Sequence, residues 1–272
     1  MAAPDGVALA EACAGKDGWS DPAPPARIAG NTYYVGTCGI ASVLVTSAKG
    51  HILIDGATAE AAPQIAANIR KLGFDPKAVK FLLSSHEHVD HAGGLAALKR
   101  LTGARLVARA EAQRGLERGT PDPSDPQAGT IASFEGVKVD RVVRDGEEVR
   151  IETLHLKVHA TPGHTAGSTS WSWQLCEKGS CRNIVYADSL TAVGPERFRF
   201  TGDPALVARF RASFARVAAM PCDILITPHP GASNLFERLA GRAPLADRNA
   251  CVAYSAAAAK RLDERLAAEA KR

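Results

Sequence analysis

Three histidines and an aspartate stand within six residues of one another, where an apolar run over residues 79–83 gives way to a helical pattern. In an extended chain, residues two apart point to the same side, so His86 and His88 can bind one ion together. As the chain turns into the helix, Asp90 and His91 reach a neighbouring point. Imidazole suits Zn²⁺, and a carboxylate adds the negative charge that helps to hold a second dication nearby. The spacing therefore predicts two adjacent metal positions at the end of a strand.

Four ligands do not complete two metal positions, and two further histidines stand at equivalent points of the chain. His164 follows an apolar strand predicted over residues 154–160, and His229 follows one predicted over residues 223–227. Both are therefore candidate ligands. The other histidines have no neighbouring carboxylate cluster and are predicted to be hydrogen-bonded or exposed. They are His51, His155 and His159.

The composition is that of an ordinary soluble globular protein, because 46% of the 272 residues are hydrophobic and 23% are charged. This length allows one large domain or two fused halves. The net charge of +4 is spread without blocks of like charge, and only 6% of the residues are aromatic, so nucleic-acid binding is not predicted. The apolar runs are far shorter than the roughly 20 residues that cross a bilayer. We therefore expect no nucleic-acid partner, no membrane association and a monomer.

Six cysteines without a C-x-x-C pattern favour an oxidising compartment. One pair flanks four residues between two strand-like runs and could face each other across a hairpin. A second pair lies on either side of a Pro-rich leader, and the third follows by elimination. The predicted disulfides are Cys13–Cys38, Cys176–Cys181 and Cys222–Cys251, with other connectivities and six buried thiols left open. Residues 1–5 lack the features of a signal peptide, so we expect a mature, exported form in the periplasm.

Strand-like and helix-like runs occur in two similar blocks, roughly residues 1–145 and 146–272. Strands are predicted over residues 32–35, 40–46, 51–54, 79–83, 137–143, 148–151, 154–160, 168–175, 183–186 and 223–227. Helices are predicted over residues 58–72 (capped by Thr58), about 92–101, about 204–219 (capped by Asp203) and from about 245. The Pro-rich loop, residues 119–129, breaks this periodicity and is predicted to be a long surface loop of the kind that borders sites. The pattern indicates two sheets packed face to face with helices outside.

The motif His-x-His-x-Asp-His, a later Gly-His-Thr-x-Gly-Ser turn and a late Pro-His resemble the metallo-β-lactamase superfamily. Residues 30–37, 186–190 and 227–233 are similar to the third subclass of class B β-lactamases. The resemblance implies an α/β fold, a four-layer αββα sandwich, formed by residues 1–272 as one domain. It also implies a zinc-dependent β-lactamase that hydrolyses penicillins, cephalosporins or carbapenems with a zinc-bound hydroxide and confers antibiotic resistance.

The resemblance also assigns roles to individual residues. It implies two Zn²⁺ ions, the first on His86, His88 and His164 and the second on Asp90, His91 and His229. Asp90 would also be catalytic by orienting the attacking water, and Ser189 and Thr191 would bind the carboxylate of the small-molecule β-lactam. In the first subclass a cysteine ligates the second zinc, whereas Ser189 stands at that point of this chain.

Two alternative functions remain open on the sequence alone. Thioesterases and lactonases of the same superfamily share the metal motif but use an aspartate that bridges both metals, and Asp188 is a candidate for that position. A non-catalytic zinc-binding or scaffold protein could also have this fold, although it would be expected to lack a ligand.

Overall fold

The computed structural model of the protein describes residues 6–177 and 179–271, and two β-sheets form its centre. The first sheet has seven strands in chain order: β1 (Ala26–Ala29), β2 (Thr32–Tyr34), β3 (Val43–Ser47), β4 (Gly50–Ile54), β5 (Val79–Leu83), β6 (Arg105–Arg109) and β7 (Arg141–Val143). The second sheet has five strands in the order β12-β11-β10-β9-β8: β8 (Glu148–Ile151), β9 (Leu154–Ala160), β10 (Thr169–Glu177), β11 (Ser180–Tyr186) and β12 (Ile224–Ile226). The α-helices of the described residues are α1 (Gly6–Ala12), α2 (Ala62–Lys71), α3 (Val89–Ala92), α4 (Leu95–Thr102), α5 (Ala110–Arg118), α6 (Pro204–Ala218), α7 (Leu235–Leu239) and α8 (Ala250–Ala270).

Three apolar clusters separate the layers. The first lies between the two sheets and contains Tyr34 and Trp171. The second joins the first sheet to α2 and α4 and contains Ile65, and the third joins the second sheet to α6 and α8 through Phe210 and Leu262. Burial of apolar area in all three stabilises the stacking. The order of layers is helix, sheet, sheet, helix, which confirms the expected αββα sandwich.

The strand directions explain how loops are placed. The strands β4 to β7 run parallel to one another, and β11 runs parallel to β12. The remaining neighbours are antiparallel. Because the carboxyl ends of parallel strands meet at one edge of a sheet, the loops that follow β4, β5, β11 and β12 are brought to the sheet edges where ligands bind in such folds.

Helix starts match the sequence predictions in one case and differ in another. The Asp203 carboxylate accepts a hydrogen bond from the Leu206 amide at 2.8 Å, so the predicted cap of α6 is confirmed. The predicted cap Thr58 is wrong, because its side chain makes no capping bond and its hydroxyl instead lies 2.7 Å from that of Ser20. A 3₁₀ turn over Ala59–Ala61 precedes α2 there.

Several elements were not predicted, and the strand predicted over residues 137–143 is much shorter. The missed elements are α1, β1, β6, α5 and α7. β6 has only three apolar residues between two arginines, and its pairing with β5 and β7 stabilises it. The strand predicted over residues 137–143 is shortened to β7. The amide of Val137 donates to the carbonyl of Leu116 at 2.8 Å, so the backbone there bonds to the end of α5 instead of to a strand.

All six cysteines are paired as predicted. Cys176–Cys181 joins register partners of the β10–β11 hairpin, Cys13–Cys38 ties the segment after α1 to the loop before β3, and Cys222–Cys251 joins the segment before β12 to the start of α8. Among the described residues, no helix has the length and hydropathy needed to span a membrane.

Candidate metal centre

Five loops meet at one edge of the two sheets, and each begins where a strand ends. They follow β4, β5, β9, β11 and β12. Contacts between loops and strands fix this edge: the Tyr186 hydroxyl donates to Asp55 Oδ2 at 2.7 Å, and the Ala41 amide donates to the Pro228 carbonyl at 2.7 Å. The candidate ligands predicted from distant parts of the sequence lie on these loops, except that Asp90 and His91 lie on the short helix α3, which follows the loop after β5.

A first group of three histidines converges from two of the loops. His86 and His88 follow β5, His164 follows β9, and one ring nitrogen of each lies within 4.8 Å of the other two. The ring centroids are 4.8 to 4.9 Å apart, and all three side chains are buried. Three imidazoles in this arrangement form a set of ligands that suits zinc.

The second ring nitrogen of each of these histidines is held by another residue. His86 Nδ1 lies 2.8 Å from Asp188 Oδ1, and His88 Nε2 lies 2.8 Å from Asp125 Oδ2. His164 Nδ1 lies 2.9 Å from the carbonyl of Thr191, which accepts a hydrogen bond from it. Such partners fix the tautomer and the ring orientation of a ligating histidine. The nitrogens left to face one another are His86 Nε2, His88 Nδ1 and His164 Nε2.

A second group lies beside the first. Asp90 Oδ2 is 3.1 Å from His91 Nε2 and 3.4 Å from His229 Nε2, and these two nitrogens are 3.4 Å apart. Donor atoms of His86, Asp90 and His91 also lie within 4.8 Å of one another, so the two groups are adjacent. The His229 side chain is 43% exposed, whereas that of His91 is fully buried. The second group therefore opens to solvent on the His229 side.

The charges of the site favour a cation at the second group. Burial lowers the pKa of His91, but the carboxylates of Asp90 and Asp55 outweigh burial and raise it to about 10. Burial raises the pKa of Asp90, but the neighbouring imidazoles of His91 and His229 hold it well below its usual range. In the first group, burial lowers the pKa of His164 to about 3, so that this imidazole is neutral and can donate a lone pair.

Buried donor atoms without hydrogen-bond partners indicate that these residues fit a metal ion. His86 Nε2 and Asp90 Oδ1 are buried and have no hydrogen-bond partner. Buried polar atoms without partners are costly, and most are satisfied by protein, water or an ion. Nitrogen and carboxylate oxygen donors at these separations are the ligand types that zinc takes, so a metal bound here would give His86 Nε2 a partner.

Two carboxylates that the sequence analysis missed support the ligand loops. Asp55 follows β4 with a positive φ of 59°, and its carboxylate accepts bonds from the Ser85 amide (2.7 Å) and hydroxyl (2.6 Å) while lying 3.6 Å from His91 Nδ1. Glu87 lies between two ligands and accepts bonds from the Thr165 hydroxyl at 2.8 Å and the Gly167 amide at 3.2 Å. Burial raises the pKa of Glu87 to about 7. The Asp55-Gly56 dipeptide directly after a predicted strand is the sequence feature that could have indicated Asp55.

The predicted substrate residues lie on the turn after β11. Thr191 is half-buried, and its hydroxyl lies 3.3 Å from His164 Nδ1, in addition to the carbonyl contact. Ser189 is buried within a turn that α8 braces, because the Tyr254 hydroxyl donates to the Asp188 carbonyl and accepts from the Leu190 amide. The structure thus places Thr191 against a histidine of the first group and Ser189 on a rigid turn beside it.

The histidines without predicted ligand roles lie outside both groups. His51 packs edge-on against Phe74 with ring centroids 5.0 Å apart, His155 bonds to Glu148, and His159 bonds to Ser172.

Curated proteins of known activity match part of the chain. A hydroxyacylglutathione hydrolase from Pseudomonas aeruginosa is 31% identical over 142 residues, which is 52% of this chain and 43% of that protein. The chain thus spans less than half the length of this relative.

Solved structures match nearly the whole chain. The metallo-β-lactamase MIM-1 from Novosphingobium pentaromativorans is 54% identical, with a TM-score of 0.95 over 97% of this chain and 98% of that one. MEM-A1, a subclass B3 metallo-β-lactamase from a soil metagenome library, is 45% identical, with a TM-score of 0.90 over 93% of this chain and 99% of that one. Residues 35–229 match the metallo-beta-lactamase superfamily. The chain belongs to the metallo-beta-lactamase superfamily, and its solved relatives place it with subclass B3.

Proposed function

We propose that the protein is a zinc-dependent β-lactamase, which opens the amide bond of penicillins, cephalosporins or carbapenems and thereby confers resistance to them. The observation that carries this proposal is the triangle of Asp90, His91 and His229 beside the group of three histidines. The similarity to solved metallo-β-lactamases over almost the whole chain supports it.

The residues of the two groups have separate tasks in this proposal. Zinc bound there supplies a Lewis acid that polarises the lactam carbonyl and lowers the pKa of water towards about 7. Asp90 reaches the second group through Oδ2, while its buried Oδ1 has no partner and can accept a hydrogen bond from a water that it orients. Ser189 and Thr191 are assigned to the substrate carboxylate through their hydroxyls.

The alternative activity is hydrolysis of a thioester or lactone, with Asp188 as a ligand common to both metals. The partial match to hydroxyacylglutathione hydrolases is what favours it. Against it, Asp188 Oδ1 lies 2.8 Å from His86 Nδ1, the ring nitrogen that does not face the other ligands. Asp188 belongs to neither ligand group of the described residues. A carboxylate in this place orients a histidine and does not bridge two ions.

The test of the proposed function is a comparison of substrates with the zinc-loaded protein. We expect a kcat/KM of about 10⁴ M⁻¹ s⁻¹ or more for a chromogenic cephalosporin and a carbapenem, within the range of ordinary enzymes. A glutathione thioester is expected to react at least about 100-fold more slowly. Faster turnover of the thioester would overturn the assignment in favour of the alternative, and turnover of neither substrate would favour a scaffold protein.

The proposal of two zinc ions is tested separately by His229→Ala. Because the His229 ring lies against Asp90 and His91 of the second group, we expect the purified variant to retain one equivalent of zinc where the wild type holds two. The kcat/KM for lactams should fall about 100-fold, because one of the two zinc ions is lost. Full activity in a variant with one zinc would contradict the scheme of two ions.

The remaining proposals concern the state of the whole protein. We infer a periplasmic location, which the three disulfides support. We also infer a monomer, since the large apolar side chains exposed among the described residues are scattered. A single folded domain over residues 1–272 would unfold in one transition, and light scattering would give the mass of one chain.

A further inference from the structure

We propose that Asp125, on the Pro-rich loop, is a positioning residue of the metal centre. Its carboxylate holds the His88 ring so that Nδ1 faces the other ligands. As a consequence, the affinity for metal depends on the order of the Pro-rich loop, and the order of this loop depends on bound metal. This inference rests on the proposed zinc site.

The contact is short, buried and distant in sequence. His88 Nε2 lies 2.8 Å from Asp125 Oδ2 across 37 positions of sequence, and both side chains are only 2% exposed. A histidine that binds metal through one nitrogen commonly donates its other N–H to a carboxylate, which fixes its tautomer and raises its basicity. Asp125 stands in that relation to His88.

The Pro-rich loop holds Asp125 in place by its own hydrogen bonds. Asp125 Oδ1 accepts from the Gln127 amide at 2.7 Å, the Asp125 amide donates to the Asp122 carbonyl at 2.9 Å, and the Ala128 amide donates to the Asp125 carbonyl at 2.9 Å. At the base of the loop, the Phe134 amide donates to the carbonyl of Gly119, a glycine at a positive φ of 69°. The carboxylate is therefore preorganised towards His88.

His88 differs from the other histidines of its group in what supports it. His86 is held by Asp188 at the end of β11, and His164 is held by the main-chain carbonyl of Thr191. His88 is held by Asp125, which lies on the Pro-rich loop. Displacement of this loop would remove the support of one ligand while leaving the other two supported. By linkage, metal bound to His88 stabilises the loop to the same extent.

The experiment compares Asp125→Ala and Asp125→Asn with the matched control Asp122→Asn. Asp122 lies on the same loop and accepts hydrogen bonds from the Ser124 amide (3.0 Å) and hydroxyl (2.8 Å). Among the described residues its carboxylate bonds to no histidine. Zinc affinity is measured by competition with a chromophoric chelator. We expect a 10- to 100-fold loss for Asp125→Ala, of the order found when outer partners of ligands are removed. Asp125→Asn should lose less, since its single amide oxygen can still accept a hydrogen bond from His88 if the bond from the Gln127 amide is given up. The control should stay within about twofold.

Two readouts separate positioning from a general loss of structure. The visible absorption bands of the Co²⁺-loaded protein should shift in the Asp125 variants and not in Asp122→Asn. Hydrogen exchange at residues 120–128 should slow when zinc is added to the wild type, and this protection should be lost in Asp125→Ala.

The outcomes distinguish this inference from the proposed function. A wild type that binds no zinc would overturn the zinc site itself. If the wild type binds zinc and Asp125→Ala binds it with equal affinity, only the role of Asp125 is overturned. If Asp125→Ala loses its native circular dichroism spectrum, the test depends on Asp125→Asn. Wild-type zinc affinity and an unchanged Co²⁺ spectrum in Asp125→Asn would contradict the proposal. A weakened zinc affinity with shifted Co²⁺ bands would support it.

Discussion

Removal of the bound metal with a chelator is expected to abolish hydrolysis of both a cephalosporin and a carbapenem, with a loss of at least about 10³-fold in kcat/KM. Lewis-acid polarisation and activation of water contribute several kcal/mol to such reactions, and each 1.36 kcal/mol corresponds to a factor of ten. Addition of Zn²⁺ should restore the rate in proportion to the zinc bound. The measurement is a titration of activity against metal content in a single preparation.

Loss of activity could also follow from loss of the fold, so the chelated protein must be shown to be native. Far- and near-ultraviolet circular dichroism should remain close to those of the metal-loaded protein, because the three apolar clusters and the three disulfides do not involve the metal ligands. Full lactam hydrolysis by a demonstrably metal-free, native sample would refute the zinc-dependent mechanism.

Among single substitutions, His86→Ala is expected to have the largest effect, with kcat/KM for lactams lowered about 10⁴-fold or more. His86 belongs to the first ligand group, a donor atom of it also lies within 4.8 Å of donor atoms of Asp90 and His91, and its ring is completely buried. Its loss also leaves the buried carboxylate of Asp188, whose pKa burial already raises, without its imidazole partner. An unpaired buried charge costs several kcal/mol, so the variant should also unfold at lower denaturant concentration.

The matched control for this substitution is His155→Ala. His155 is nearly half exposed and bonds only to Glu148 and to the Glu152 carbonyl, so we expect unchanged activity and zinc content. Zinc content and kcat/KM of His86→Ala are then compared with this control. A His86→Ala variant that kept two equivalents of zinc and most of its activity would show that His86 is not a ligand.

Local spacing in the sequence was enough to predict much of this architecture. The apolar run over residues 79–83 predicted β5, and the strand-like run over residues 154–160 predicted β9, both at their observed bounds. In β9 the apolar residues alternate with polar ones, as in a strand buried on one face. Two cysteine pairs were predicted from the residues that lie between them and the third by elimination, and all three disulfides are confirmed. The histidine spacing after β5 reflects the turn from extended chain into helix, which brings neighbouring side chains to one side.

The residues that support the ligands could not be found in this way. Asp55, Asp125 and Asp188 each contact a histidine at least 36 positions away in the chain, and single aspartates beside turns are common in any sequence. Their roles depend on which loops the two sheets bring to the same edge. Helix α5 and strand β6 were missed for a related reason, since their stability comes from neighbours that are distant in sequence.

The order of the ligands along the chain sets the order in which the centre can be assembled during synthesis. His86, His88, Asp90 and His91 leave the ribosome first, His164 follows, and His229 comes after all five strands of the second sheet. The Tyr254 hydroxyl that braces the turn at Asp188 comes later still, on α8. A nascent chain can therefore complete the group of three histidines before the group that contains His229, and the brace on the turn beside them is added last.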